Sequence, residues 1–204
     1  MWQSETAEEE RPTSDLVALV GLGNPGHQYL RTRHNIGFVV LDEWSQQLDM
    51  AFQPTGRTYL AAEGEIGHRG AILIKPMTFM NKSGVAVVEA LERYRFTEFI
   101  VICDDVNLDF GTLRLRGSGS DGGNNGLASV ISEIDSQDFC RLRIGVGRPD
   151  DETPLVDYVL DEFNTAEDEQ LPSIVDQTIK QLKTYISDGW RMAASRYNGR
   201  VTPA

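Results

Sequence analysis

Short apolar segments rich in β-branched residues alternate along this chain with segments whose apolar residues recur every three or four positions. Residues 16–20, LVALV, and residues 99–103, FIVIC, have the length and composition of buried strands. Residues 35–48 carry an apolar side chain at every fourth position, which predicts an amphipathic helix with Asn35 as its N-cap. Strands that alternate with helices imply an α/β domain, in which a largely parallel sheet is covered by helices on both faces.

The other segments continue this alternation. TYLAAEGEI and AILI, separated by GHRG, predict a hairpin or two adjacent strands, and GTLRLR and RLRIGVG predict two further strands. VAVVEALERY and LASVISEI predict helices, and an apolar stripe between Leu171 and Ile186 predicts a long helix packed on the core. A chain of 204 residues fits one domain, and no linker divides it.

The first residues differ in composition from the rest. Residues 1–15 hold five acidic side chains and one arginine, which fits neither a secretory signal nor a transit peptide. We expect residues 1–14 to be a solvated, disordered lead-in and residues 15–204 to form the domain. Because no apolar run is long enough to span a bilayer, and Cys103 and Cys140 resemble buried thiols of a reducing compartment, we expect a cytoplasmic protein.

The net charge of −12 does not exclude a nucleic-acid partner. Fourteen of the thirty-one acidic residues lie in residues 1–15 and 150–169, which together contain only one of the nineteen lysines and arginines. The remainder of the chain is therefore close to neutral. Local fields rather than the total charge steer a polyanion, so the total leaves RNA binding open.

A glycine cluster follows the first predicted strand. Gly21, Gly23 and Gly26 match the dinucleotide pattern G-x-G-x-x-G, which would suggest an oxidoreductase. That pattern requires its last glycine to open a helix whose N-terminus holds the pyrophosphate, whereas here eight residues precede the helical pattern. The cluster instead predicts a glycine turn that presents Asn24 and a loop that presents His34.

His34 is the candidate general base. Histidine activates water near neutral pH and needs a partner that fixes its tautomer. Asp104 or Asp105, which follow the FIVIC run, could be that partner. The structural alternatives are a surface histidine and two solvated carboxylates in a turn at the end of the strand.

Two further loops are polar. In KPMTFMNKSG, Asn81 could cap the next helix, or it could donate its amide to a substrate beside a wall of Met77, Phe79 and Met80. GSGSDGGNNGL could be a flexible turn, or a lip that contacts phosphate and is flanked by guanidinium groups; these belong to Arg114, Arg116, Arg141 and Arg143.

Several other sites are not supported. His27, His34 and His68 lack the spacing of metal ligands, so we expect no metal, and the chain has neither a P-loop lysine motif nor a G-x-S-x-G elbow. Cys103 could act as a nucleophile with His34, but its place at the end of an apolar run favours a core cysteine.

In this order, the polar strings resemble the bacterial-type peptidyl-tRNA hydrolase family. The strings are GLGNPGHQYLRTRHNIGF, KPMTFMNKSG, CDDVNLDFGTLRLR, and GSDGGNNGL followed by RLRIGVGRP. Four ordered motifs from about Leu16 to the C-terminal helix are far more specific than the glycine pattern alone. The resemblance implies a monomeric α/β globule around a twisted mixed sheet that hydrolyses peptidyl-tRNA without a metal or cofactor.

The resemblance also implies roles for single residues. His34 would activate water, and Asp104 would orient and polarise the imidazole of His34. Asn24 would contact the substrate close to that histidine. Asn81 and Asn125 would hold the peptide and position the carbonyl or the water.

For the tRNA, the resemblance implies that Tyr29 offers a stacking or hydrogen-bonding surface near its end. Arg114, Arg116 and Arg143 would contact its phosphates. Met80 would form part of the apolar wall that contacts the substrate.

One position departs from the family. The family usually has histidine where this chain has Asn124, and the loss of that histidine could lower affinity or rate. The main alternative function is an RNA-binding relative without hydrolysis, such as a splicing factor for group II introns. The presence of His34, Asp104 and Asn24 argues against it, because a protein that only binds RNA does not need them.

Overall fold

The computed structural model describes residues 16–96 and 98–202. The strands in this part of the chain are β1 Val17–Gly21, β2 Gln53–Pro54, β3 Tyr59–Ile66, β4 Arg69–Pro76, β5 Glu98–Asp105, β6 Thr112–Arg116, β7 Cys140–Gly145 and β8 Gly199–Arg200. The helices are α1 Ile36–Gln47, α2 Ser83–Tyr94, α3 Asn125–Ile134, α4 Leu155–Leu160, α5 Thr165–Asp168 and α6 Leu171–Tyr197.

The strands form one mixed sheet in the order β2-β3-β4-β1-β5-β7-β6-β8. The four central strands, β4, β1, β5 and β7, run parallel to one another. The pairs β2–β3 and β6–β8 add antiparallel strands at the two edges. The predicted α/β class is therefore confirmed, and the carboxyl ends of the parallel strands meet at one edge of the sheet.

Helices cover both faces of this sheet, as predicted. In β1, Val17 and Leu19 point into a core shared with α1 and α6, whereas Ala18 and Val20 point into a core shared with α2 and α3. This arrangement explains why the first apolar run is continuous: a central strand needs apolar side chains towards both layers. Trp44 of α1 is fully buried in the first core.

One capping contact and one helix boundary differ from the sequence predictions. Asn35 precedes α1, but its side chain does not cap the helix, because it hydrogen-bonds the backbone of Asn24 instead. α6 extends beyond Ile186 to Tyr197 and is kinked at Gly189, whose φ is 82°. Past this kink, Arg191 and Met192 are exposed and interrupt the apolar stripe. The sequence prediction followed that stripe, so it ended the helix at Ile186.

Within residues 16–96 and 98–202, no helix is long and apolar enough to cross a membrane. The predicted lead-in, residues 1–14, lies outside the described residues.

Candidate active site

The site is centred on a buried contact between His34 and Asp104. His34 lies in the short 3₁₀ turn before α1, and Asp104 is the penultimate residue of β5. His34 Nδ1 is 2.8 Å from Asp104 Oδ1, and the two residues are 8% and 3% exposed. An ionised carboxylate can only accept, so the proton of a neutral imidazole lies on Nδ1 and its lone pair on Nε2. His34 can therefore accept a proton from water at Nε2.

Asp105, the other candidate partner of His34, faces elsewhere. Its Oδ2 is 2.9 Å from Arg143 Nη1, and its Oδ1 accepts a hydrogen bond from the backbone N–H of Asn107. Both aspartates are buried inside β5, so the alternative of two solvated carboxylates in a turn is wrong.

Asn124 is a second side chain that holds Asp104. Its Nδ2 donates to the same Oδ1 of Asp104 at 2.9 Å, while its Oδ1 accepts from the backbone N–H groups of Gly126 and Leu127 at the start of α3. The capping bonds fix which way the amide points, because only its oxygen can accept. Asn124 thus caps α3 and orients Asp104 at once.

Asn24 is fixed by three hydrogen bonds. Its backbone N–H donates to Asn35 Oδ1 at 2.9 Å, its carbonyl accepts from Asn35 Nδ2 at 2.9 Å, and its Oδ1 accepts from the backbone N–H of Met80 at 2.8 Å. These contacts leave Nδ2 of Asn24 without an acceptor among the described residues. The glycine turn therefore presents a positioned amide donor between the loop of His34 and that of Met80.

The glycines of this turn allow helix α1 to pack closely. A Cβ on Gly21 would lie 2.4 Å from the carbonyl oxygen of Gly37, and a Cβ on Gly23 would lie 2.7 Å from the ring of Phe38. The turn is followed by a 3₁₀ helix of only three residues, His27–Tyr29, and α1 begins only at Ile36, so no α-helix starts at the turn to receive a pyrophosphate. This geometry argues against a dinucleotide-binding site at the glycine turn.

A cleft opens over the His34–Asp104 pair. Its lining includes Asn125 and Arg143 together with Leu155 and Val156 of α4. Leu155 and Val156 are 48% and 62% exposed. The cleft therefore combines polar groups at its base with an apolar wall, which suits a ligand that is part polar and part apolar.

The other predicted substrate residues differ in how exposed they are. Met80 is buried, and its sulfur lies 2.4 Å from the position that a Cβ on Gly126 would occupy. Asn81 and Asn125 are exposed, and neither caps a helix with its side chain; Tyr29 is half-buried. Of the predicted site residues, four line one cleft: His34, Asp104, Asn125 and Arg143. The others do not line it: Asn24, Tyr29, Met80, Asn81, Arg114 and Arg116.

Comparison with known proteins decides the family. The family model described as peptidyl-tRNA hydrolase matches residues 18–204. A peptidyl-tRNA hydrolase of Herpetosiphon aurantiacus is 39% identical over 189 residues, which are 91% of this chain and 92% of that protein. One of a Roseiflexus species is 44% identical over 183 residues, 88% of this chain and 84% of that protein.

This chain belongs to the peptidyl-tRNA hydrolase family.

Solved structures agree with the assignment to the peptidyl-tRNA hydrolase family. The crystal structure of the peptidyl-tRNA hydrolase from Acinetobacter baumannii matches with a TM-score of 0.86 at 28% identity, covering 94% of this chain and 98% of that one. A 5'-methylthioadenosine nucleosidase from Arabidopsis thaliana matches with a TM-score of 0.50 at 8% identity, covering 87% of this chain and 98% of that one, which shows a shared fold alone.

In this member of the peptidyl-tRNA hydrolase family, the loop between β6 and α3 is held by Arg141, which is buried, and by Arg143, which is partly buried. Arg141 is 1% exposed and donates to the carbonyl oxygens of Phe139, Gln137, Gly119 and Ser120. Burial lowers the pKa of its guanidinium. Arg141 therefore shapes the glycine-rich loop from beneath.

Arg143, predicted to meet RNA phosphate, is also engaged internally. Its Nη1 pairs with Asp105 at 2.9 Å and its Nη2 donates to the carbonyl of Ser120 at 2.6 Å, with 11% of the side chain exposed. Its charge is thus balanced by Asp105. Arg114 and Arg116 on β6 are exposed, and no described residue pairs with either guanidinium.

Arg33 is a further residue of the site that was not predicted from the sequence. Its guanidinium is buried, pairs with Glu167 at 2.6 Å and lies 4.3 Å from the centre of the Tyr158 ring. This contact ties the loop of His34 to the segment that carries α4. Arg33 and Glu167 are 134 positions apart, so no local pattern in the sequence could have paired them.

Proposed function

We propose that this chain hydrolyses the ester between a peptide, or an N-blocked aminoacyl group, and tRNA, and so releases free tRNA. The observation that carries the proposal is the buried pair of His34 Nδ1 and Asp104 Oδ1 at 2.8 Å, which leaves Nε2 of His34 as a base. An ester is activated relative to an amide, so one assisted water suffices for attack. General-base help typically supplies roughly 10²–10⁴-fold.

In the proposed reaction, Nε2 of His34 removes a proton from water as the water oxygen attacks the ester carbonyl. The tetrahedral intermediate then collapses, the bond to the ribose oxygen breaks, and the proton passes from His34 to that oxygen. Asp104 stabilises the imidazolium between the two steps. The products are a peptide carboxylate and tRNA with a free hydroxyl.

The asparagines supply amide groups for this reaction. Nδ2 of Asn24 has no internal acceptor among the described residues, so it is available to donate to the charge that develops on the carbonyl oxygen. Removal of one such donor typically costs about 2.7–4 kcal/mol of transition-state stabilisation. Asn81 and Asn125 hold the peptide backbone, and Met80 and Tyr29 contact the acyl group and the end of the tRNA.

Arg114, Arg116 and Arg143 form the side of the site that faces the tRNA backbone. Arg143 acts mainly by holding Asp105 and the loop at Ser120, because those contacts already occupy its guanidinium. We further propose that the protein works as a cytoplasmic monomer and needs neither a metal nor a cofactor. No group of three His, Cys, Asp or Glu side chains within the described residues is placed to hold a metal ion.

The first test is release of free tRNA from an N-blocked aminoacyl-tRNA by the wild-type chain. We expect cleavage that yields free tRNA and the N-blocked amino acid in equal amounts. A folded wild type that binds this RNA without cleaving it would overturn the proposal in favour of the non-catalytic RNA-binding function.

A further inference from the structure

Three arginines at one edge of the sheet have guanidinium groups that no described residue pairs with. They are Arg114 and Arg116 on β6 and Arg200 on β8, and all three are exposed. By contrast, Arg33, Arg69 and Arg143 each form an ion pair with a carboxylate. We call Arg114, Arg116 and Arg200 the basic edge.

The strand register places these three side chains on one face. Thr112 lies opposite Arg200 in the antiparallel pair of β6 and β8, so their side chains point the same way. Thr112, Arg114 and Arg116 alternate with Leu113 and Leu115, which are buried on the other face. Since alternate residues of a strand lie ~6.8 Å apart, the basic edge is a row of cations and not a single charge.

The backbone on both sides of Arg200 is anchored. The side chain of Asn198 accepts from the N–H of Leu115 at 2.7 Å and donates to its carbonyl at 3.1 Å. The N–H of Val201 donates to the carbonyl of Gly111 at 2.9 Å. Arg200 is therefore held in register although β8 has only two residues.

The basic edge is continuous with the cleft. Arg143, which lines the cleft, is the cross-strand partner of Arg114. At the carboxyl end of the parallel strands, Gly145 of β7 pairs with Asp105 of β5 and accepts from the N–H of Gly111, next to the start of β6. Three strand spacings, ~14 Å, separate β5 from β8.

We propose that Arg200 is an RNA-contacting residue, which binds a phosphate of the tRNA backbone together with Arg114 and Arg116. The inference rests on the proposed function, because it requires the acyl end of a tRNA to occupy the cleft. A phosphodiester chain that leaves the cleft past Arg143 next meets the basic edge. The unpaired guanidinium groups of the basic edge suit phosphate, because each can bind a phosphate through two parallel hydrogen bonds.

The test is binding of deacylated tRNA, which needs no hydrolysis, at several salt concentrations. Arg200→Ala should raise Kd about two- to fivefold, the range of an exposed ion pair. It should also reduce the slope of log Kd against log salt by about one, as for the loss of one phosphate contact. Arg200→Lys should keep most of the slope.

Lys183→Ala is the matched control, because it removes one exposed positive charge from α6, which packs on the other face of the sheet. It should leave Kd and the slope unchanged. Equal Kd values and slopes for Arg200→Ala and Lys183→Ala would overturn the role of Arg200, as would a wild type that does not bind tRNA. If the wild type binds tRNA through Arg200 but cleaves no ester, the proposed function fails while the basic edge stands.

Discussion

At the scale of single residues, one oxygen of Asp104 accepts hydrogen bonds from two side chains. His34 Nδ1 and Asn124 Nδ2 approach Oδ1 at 2.8 and 2.9 Å. The carboxylate is thereby held in the orientation that fixes the imidazole. Position 124 departs from the histidine that the family usually has, and the asparagine there supplies a donor to Asp104.

Substitution of Asn124 can separate its two roles. Asn124→Ser keeps an oxygen that caps α3 but shortens the side chain and removes the amide Nδ2 that donates to Asp104, so kcat should fall about tenfold with little loss of stability. Asn124→Ala removes both and should also lower the free energy of unfolding by about 1 kcal/mol. Steady-state kinetics and urea unfolding measure the two effects. An unchanged kcat in Asn124→Ser would show that Asp104 needs no second donor.

The cysteines are predicted to take no part in the chemistry. Burial raises the pKa of the Cys103 thiol well above its usual range and raises that of Cys140 to about 11. Both groups are therefore neutral thiols near neutral pH, and iodoacetamide should label them only after unfolding in urea. Rapid labelling of Cys103 in the folded chain, with loss of hydrolysis, would instead support a cysteine nucleophile.

The same shifts set a dependence of stability on pH. In the unfolded chain the thiols ionise near the usual value of about 8.5, whereas in the folded chain they stay protonated. The stability that these groups contribute is therefore complete below about 8.5 and is lost as the pH rises above it towards the folded values.

At the scale of elements, Arg33 fixes the segment of α4 against the loop of His34. Its Nη1 donates to the carbonyls of Tyr158, Asp161 and Glu162, the last at 2.8 Å, where α4 ends. Its own backbone N–H donates to the carbonyl of Asp161 at 3.1 Å. Because α4 carries Leu155 and Val156, this anchor positions the apolar wall of the cleft.

Loss of the anchor should be costly. Arg33→Ala leaves the largely buried carboxylate of Glu167 without its cation and removes the side-chain donor to three carbonyls, so the free energy of unfolding should fall by about 3–5 kcal/mol. Arg31→Ala is the control, since Arg31 forms an exposed pair with Asp168 and should contribute less than about 1 kcal/mol. Denaturant unfolding compares them. Equal losses in the two variants would mean that burial of the Arg33 pair does not matter.

The sequence predicted those elements whose residues carry a local pattern. The central strands and the helices α1, α2 and α3 repeat apolar residues at strand or helix spacing, and they were found. The strands β2 and β8 have two residues each, too few to show a period, and were missed. Asparagine is a residue type that often caps helices, but the side chain of Asn35 hydrogen-bonds Asn24 instead.

At the scale of the whole molecule, the three-dimensional pairing of charges matters more than their sum. The sequence separated acidic residues 150–169 from the near-neutral remainder, but it could not tell which charges pair. Arg114 and Arg143 look alike in the sequence; only the parallel register of β5 and β7 places Asp105 beside Arg143. Likewise, the antiparallel pairing of β8 with β6 adds Arg200 to the basic edge.

The role of His34 as the general base is tested most directly by the rate of ester cleavage in a single turnover by His34→Ala. With enzyme in excess over an N-blocked aminoacyl-tRNA, this variant should lose roughly 10²–10⁴-fold of the wild-type rate. Its affinity for deacylated tRNA and its melting temperature should stay close to those of the wild type. His68→Ala, which changes an exposed histidine in the turn between β3 and β4, should cleave at the wild-type rate. Cleavage by His34→Ala at a rate near that of His68→Ala would contradict the account and remove His34 from the mechanism.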